Sequence, residues 1–313
     1  MERLGWGHNH TVRAVPPPKP RPGFSTHARF RRASPIAQYG MAAALEALGT
    51  RTANYTSGSL RLGIIFAAMC GCVNYSNRFY AELLKNPATA SPLVFPETVF
   101  NSPASHIAAL LEAKSANYTL VGDSGVYLQA IALGATWLLE KRVDGCLVVG
   151  AEELDWLLSD ALYHFSKNAI VAEGAGALYL ERDNKQISDQ PPVLLQQITT
   201  PFLFCRMQPR SEAARRARSE LGAPPGCLLI DSILGVDRID NAEAAAWADW
   251  SGPRVSPKSI LGEAFAASAA WQCVAAVDAL NQGAYSTASV SVVGNNQQAI
   301  GARFGVKTND DVP

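Results

Sequence analysis

The sequence predicts an α/β fold, and three observations carry that prediction. Short apolar runs bounded by polar turns alternate with longer stretches whose apolar residues recur at helical spacing. The alternation passes in similar order through both halves of the chain. Hydrophobic residues make up 48% of the 313 positions and charged residues 17%, enough apolar material for a sizeable core. Residues 1–35 stand apart. Pro16, Pro17, Pro18, Pro20 and Pro22 lie among Arg13, Lys19, Arg21, Arg29, Arg31 and Arg32, with Glu2 the only acid, which predicts an extended basic arm. Residues 37–48 follow with a helical pattern that stops at Gly49, a residue suited to a C-cap. Residues 62–68, 117–121, 146–150 and 174–180 read as strands, and 125–141 as a helix. A comparable series comes later, with strands at 228–231 and 288–293, a helix at 243–250 and one long Ala-rich helix over 258–280. The expected organisation is therefore an arm at 1–35, a first half at 36–190 and a second half at 191–313.

Lys+Arg equals Asp+Glu at 27 each, so no basic surplus supports a nucleic-acid binder. The longest apolar run, residues 62–73, is too short for a membrane span, and residues 1–5 show no apolar signal region. The cysteines at 70, 72, 146, 205, 227 and 273 have no metal-ligand spacing and read as thiols of a reducing compartment. These observations predict a cytoplasmic protein with no metal and no cofactor. Arg206, Arg210, Arg215, Arg216 and Arg218 form a basic cluster behind a helix start at Ser211–Glu212. It reads either as a solvated surface helix or as a docking patch for an acidic partner such as a carrier protein.

The segment Gly122-Asp123-Ser124-Gly125 sits between a predicted strand and a predicted helix. A serine there has backbone N–H groups and the positive end of a helix dipole close by, a good place for a nucleophile or an anion-binding turn. The four residues match the serine-protease GDSG, but Val126-Tyr127 follow them and no Ala-Ala-His-Cys segment lies upstream, so that reading fails. As a base for Ser124 the sequence offers only His164, Asp123, Glu263 or Lys258, none at diagnostic spacing; for His164 a partly buried structural histidine is the plainer alternative. His8, His10 and His27 fall in the arm.

A broader resemblance runs through residues 34–305. Ser34-Pro35-Ile36-Ala37-Gln38-Tyr39, then 42–48, 78–84, Ser91-Pro92-Leu93-Val94-Phe95-Pro96-Glu97-Thr98-Val99-Phe100-Asn101 and Ala104-Ser105-His106 are similar in order to segments of the β-ketoacyl synthases. So are residues 144–153, Glu173-Gly174-Ala175-Gly176-Ala177-Leu178 and Lys258-Ser259-Ile260-Leu261-Gly262-Glu263. The resemblance implies a thiolase-like fold of two similar halves. It sets Ser124 at the position of the family's nucleophilic cysteine and Glu263 at that of one catalytic histidine. Lys258 is retained. The other histidine falls near Ile233, and the glycine-rich C-terminal loop has become Val293-Gly294-Asn295-Asn296-Gln297-Gln298. His106 falls in a structural segment, and no histidine follows His164.

Decarboxylative condensation needs a thiolate to carry the acyl chain and neutral or cationic donors for the developing enolate. Serine, isoleucine and glutamate supply none of these. The resemblance therefore implies a non-catalytic subunit of the chain-length-factor kind. Such a subunit pairs as a heterodimer with an active ketosynthase in fatty-acid, polyketide or aryl-polyene biosynthesis, with acyl carrier protein a further partner. Val94, Phe95, Thr98, Val99, Phe100 and Asn101 would border the acyl tunnel at the subunit interface. Two alternatives stand beside it: a Ser124-dependent acyltransferase or hydrolase on the same scaffold, and a scaffold without chain contact. The first strand of the family is reduced to residues 4–7 or missing.

Overall fold

The computed structural model describes residues 10–20, 22–53, 60–183, 191–222 and 224–307. Two sheets organise them. The first is built from β2 (Leu62–Ala68), β3 (Asn117–Val121), β4 (Gly145–Glu152) and β6 (Gly174–Glu181), in the order β3-β2-β4-β6. β2 runs parallel to both neighbours and β6 antiparallel to β4. β2 and β4 are buried along their whole length, which is why each reads as a continuous apolar run rather than an alternation. The second sheet comprises β7 (Val193–Ile198), β8 (Phe202–Leu203), β9 (Leu228–Ile230), β10 (Arg254–Val255), β11 (Thr287–Val293) and β12 (Gln298–Val306). Its order is β10-β9-β11-β12-β7, with β8 beside β12. Matched by order and direction, β3, β2, β4 and β6 correspond to β10, β9, β11 and β12. Among the described residues β7 and β8 have no counterpart in the first sheet. The reduced first strand expected at residues 4–7 lies outside the described residues.

Helices fill the layers. α1 (Pro35–Leu48) and α3 (Ser102–Leu110) cover one face of the first sheet, and α2 (Val73–Lys85) lies between β2 and α3 in the chain. α4 (Val126–Leu139) and α9 (Phe265–Asn281) lie between the two sheets and share one core with Ile65, Val148, Val290 and Ile300. α5 (Trp156–Phe165) follows β4; α6 (Arg210–Leu221) and α7 (Asp237–Ala246) pack outside the second sheet around Trp247.

Three expectations are corrected. The arm does not stay extended beyond the body. Phe24 and Phe30 are 8% and 5% exposed and join the core with Ile36 and Met41, and β1 (Val12–Arg13) pairs parallel with β5 (Val171–Ala172). Two buried aromatic side chains anchor part of this basic, proline-rich stretch to the body. The long helix over 258–280 is two helices, α8 (Pro257–Leu261) and α9. It breaks because Gly262 takes φ +93° and Phe265 φ +45°, outside the helical region. The helix placed at 243–250 is α7, which begins and ends earlier, at Asp237 and Ala246.

Candidate functional site

Ser124 stands in the turn between β3 and α4, the place the sequence gives it. The turn is fixed by its neighbour. Asp123, 1% exposed, accepts hydrogen bonds from the N–H groups of Gly125 (3.3 Å), Asn296 (3.2 Å) and Gln297 (3.0 Å), while its own N–H donates to Gln297 Oε1. Burial raises the Asp123 carboxyl above its ordinary range, and those three backbone donors hold the rise in check. A Cβ on Gly294 would lie 2.0 Å from Asp123 Oδ2; only glycine lets this loop approach so closely. Ser124 itself is 0% exposed, and its hydroxyl has no hydrogen-bond partner among the described residues.

The second group is a closed ion pair. Lys258 Nζ donates to Glu263 Oε2 at 2.8 Å, with the two side chains 1% and 0% exposed. Asn295 Nδ2 reaches the same oxygen at 3.2 Å, and the Phe265 N–H donates to Oε1 at 2.8 Å. Burial alone would push the Glu263 carboxyl up; the Lys258 charge and hydrogen bond outweigh it and hold it below the usual carboxylate value. One loop therefore joins both groups, with the Asn295 side chain on Glu263 and the Asn296 and Gln297 backbone on Asp123. Arg210 braces that loop from α6, donating to the carbonyls of Gly294 (2.7 Å) and Val293 (3.1 Å).

The resemblance sets the other histidine near Ile233. The Ile233 N–H donates to Asp231 Oδ1, and the polar groups nearby are engaged. Asp231 pairs with Arg254. Asp240 accepts from the N–H groups of Leu234, Gly235 and Val236. Glu243 accepts from the Ser232 and Ser291 hydroxyls, and burial with nearby Asp231 pushes it up to about 7.

His164 is exposed on α5, whereas Ser124 is 0% exposed, and no hydrogen bond joins the two among the described residues. His106 bonds Glu97 at 2.9 Å. The expected docking arginines are largely engaged within the chain. Besides Arg210, Arg215 pairs with Glu212, Arg218 with Asp249, and Arg216 stacks 4.5 Å over Phe202. Among the described residues no His, Cys, Asp or Glu cluster fits a metal, and no helix is long and apolar enough to cross a membrane. Of the segment expected to border a tunnel, Val94 is buried, Thr98 is half-buried and Asn101 exposed. Phe95, Val99 and Phe100 are 54%, 38% and 44% exposed, with Phe95 stacked on Phe79 at 5.5 Å. Sequence reasoning missed Asn295 and Arg210 as parts of the site. The basic cluster signalled Arg210 without its target, and nothing local marks Asn295.

No family model and no curated protein sequence matches the chain. Solved structures do. The chain is similar to the ishigamide ketosynthase/chain length factor, with TM-score 0.62 and 18% identity over 79% of this chain and 73% of that one. It is similar to a type II PKS acyl-carrier protein in complex with its ketosynthase bound to the hexaketide, at 0.73 and 15% over 95% and 91%. It is also similar to a β-ketoacyl synthase from Burkholderia phymatum STM815, at 0.70 and 15% over 92% and 86%. The chain has the thiolase-like fold of the ketosynthases.

Proposed function

We propose that this chain, a ketosynthase fold without the ketosynthase's reactive groups, is a non-catalytic subunit of the chain-length-factor type. It pairs with an active ketosynthase in fatty-acid, polyketide or aryl-polyene biosynthesis and shapes the tunnel for the growing acyl chain. The observation that carries the reading is the sealing of the site. At the positions of nucleophile and base stand a buried hydroxyl with no partner and a carboxylate locked to a lysine. The hydroxyl cannot form a thioester, and the carboxylate cannot donate to an enolate.

The pairing is supported by the edge of the first sheet. Among the described residues β3 pairs only with β2, and Tyr118 and Val121 on it are 48% and 52% exposed. An unpaired strand with apolar side chains invites a second chain. Phe95, Val99 and Phe100 are the exposed apolar residues that a partner and an acyl chain would cover. The unpaired state of all six cysteines fits a cytoplasmic setting. The test is co-expression with a ketosynthase that retains its cysteine and histidines, followed by sizing of the purified material. A one-to-one complex that Val121→Lys weakens supports the reading. A chain that stays monomeric, or pairs only with itself, overturns it.

A further inference from the structure

The Lys258–Glu263 pair is sealed, yet it lies close to the surface. Ile260 and Leu261, between the two ionic residues, are 70% and 43% exposed. One short strand separates Glu263 from the outside. β5 lies against it, with the Ala172 N–H donating to the Glu263 carbonyl (2.9 Å) and the Glu263 N–H to the Ile170 carbonyl (2.8 Å).

The N-terminal segment lies over that strand. β1 covers β5 in parallel register, Val12 against Val171 and Arg13 against Ala172, and the Glu173 N–H donates to the Arg13 carbonyl at 3.0 Å. The Arg13 side chain crosses Gly262, its Cγ 3.4 Å from where a Cβ would stand there. The segment is fastened at both ends. His10 pairs with Asp160 on α5, both side chains nearly buried at 12% and 11% exposure, and the His10 ring lies 5.0 Å from that of Tyr163. At the other end the Val15 N–H donates to Glu173 Oε1 at 3.0 Å, while Glu173 Oε2 accepts from Leu154. Pro16, Pro17 and Pro18 follow directly. They have no N–H to donate, so the pairing cannot run on along β6. What results, among the described residues, is a segment of two paired residues, both with exposed side chains, fastened at His10 and at Val15. That is the composition of a unit which opens locally without unfolding the body.

We infer that residues 10–15 form a releasable strap that closes this subunit over the Lys258–Glu263 pair, with His10–Asp160 as its latch. Release bares the outer edge of β5 and the face of Gly262, the elements packed beside the buried ion pair. The inference goes beyond the pairing proposed above and does not depend on it.

Hydrogen exchange followed by mass spectrometry on the full chain tests it, comparing the unmodified protein with His10→Ala and Asp160→Ala. Loss of a nearly buried charged contact is expected to speed exchange at residues 11–15, at 170–173 and at 262–263 together, on the order of 10- to 100-fold. α4 and β11 should stay as protected as before. Faster exchange at 11–15 with 170–173 and 262–263 unchanged overturns the inference, because the segment would then cover nothing. No change at 11–15 overturns the latch. If Asp160→Ala loosens the whole chain, His10→Ala and Arg13→Pro, both confined to the strap, decide by the same criteria.

Discussion

Removing one partner of the Lys258–Glu263 pair should cost far more than removing both. Glu263 provides the only hydrogen bond that Lys258 Nζ makes among the described residues, at 2.8 Å, and the ammonium is 1% exposed. Glu263→Gln leaves that charge buried without a counter-charge, which typically costs about 3–5 kcal/mol. Lys258→Met leaves the carboxylate with Asn295 and the Phe265 N–H as donors. It can also take up a proton, so its cost should be nearer the lower end, about 3 kcal/mol. The double variant removes both charges, keeps an acceptor for Phe265 and should recover at least about 2 kcal/mol relative to the sum, since neutral replacements of buried pairs are often well tolerated. Urea unfolding of the four proteins, compared at unchanged slope, measures this coupling. Additivity within about 0.5 kcal/mol would refute the reasoning that the two charges exist for each other.

The remaining predictions concern the same core. Ser124→Ala should fold normally and lose no stability, or gain up to about 1 kcal/mol, because it deletes a buried hydroxyl without a partner; a clear loss by urea titration would mean the hydroxyl is bonded. Gly294→Ala should destabilise by about 2 kcal/mol or more, since its Cβ would stand 2.0 Å from the Asp123 carboxylate, and a neutral result would refute the close approach. Burial pushes Glu152 up to about 8 and Glu153 to about 7; burial and Asp231 push Glu243 to about 7. All three hold protons more tightly folded than unfolded, so the stability they contribute is complete below the ordinary value of 4.5 and is lost as pH rises to 7–8. Glu263, held low, acts in the opposite sense below 4.5. The unfolding free energy from urea titration should therefore rise from pH 8 to pH 6, by on the order of 1–2 kcal/mol for each raised group, and a fall would contradict the burial argument.

Much of the fold is legible in the residues. The apolar runs at 62–68 and 146–150 read as strands and lie in strands buried along their whole length, and the turn from 122 to 125 follows from the strand and helix around it. β12 was not legible. Gly301, Gly305 and Arg303 interrupt its pattern, and Gly301 is required by a contact distant in sequence: its Cβ would lie 2.9 Å from Leu221 and 3.2 Å from the Val290 carbonyl. The break at Gly262 was hidden in a stretch whose composition is helical throughout. At the site, the spacing of Lys258 and Glu263 does not dictate their pairing, because residues five apart do not share a helix face and the helix ends between them at Gly262. Nor was the role of Asn295 legible, because its partner lies 32 positions away. Phe24 and Phe30 show the converse, two aromatic residues overriding a composition that argues for an arm.

The central claim is that this chain performs no condensation of its own, and the most direct measurement gives it every advantage. The isolated Ser124→Cys protein has a thiol beside a helix N-terminus, where the dipole favours the thiolate, and is supplied with acyl- and malonyl-carrier protein in the absence of any partner ketosynthase. Decarboxylation still needs donors for the enolate oxygen. Ile233 has none to offer, and Glu263 sets a negative charge there; each missing donor typically costs on the order of 10²–10³ in rate. No ketoacyl product is predicted from this variant or from the unmodified chain. Clear product from either would contradict the account.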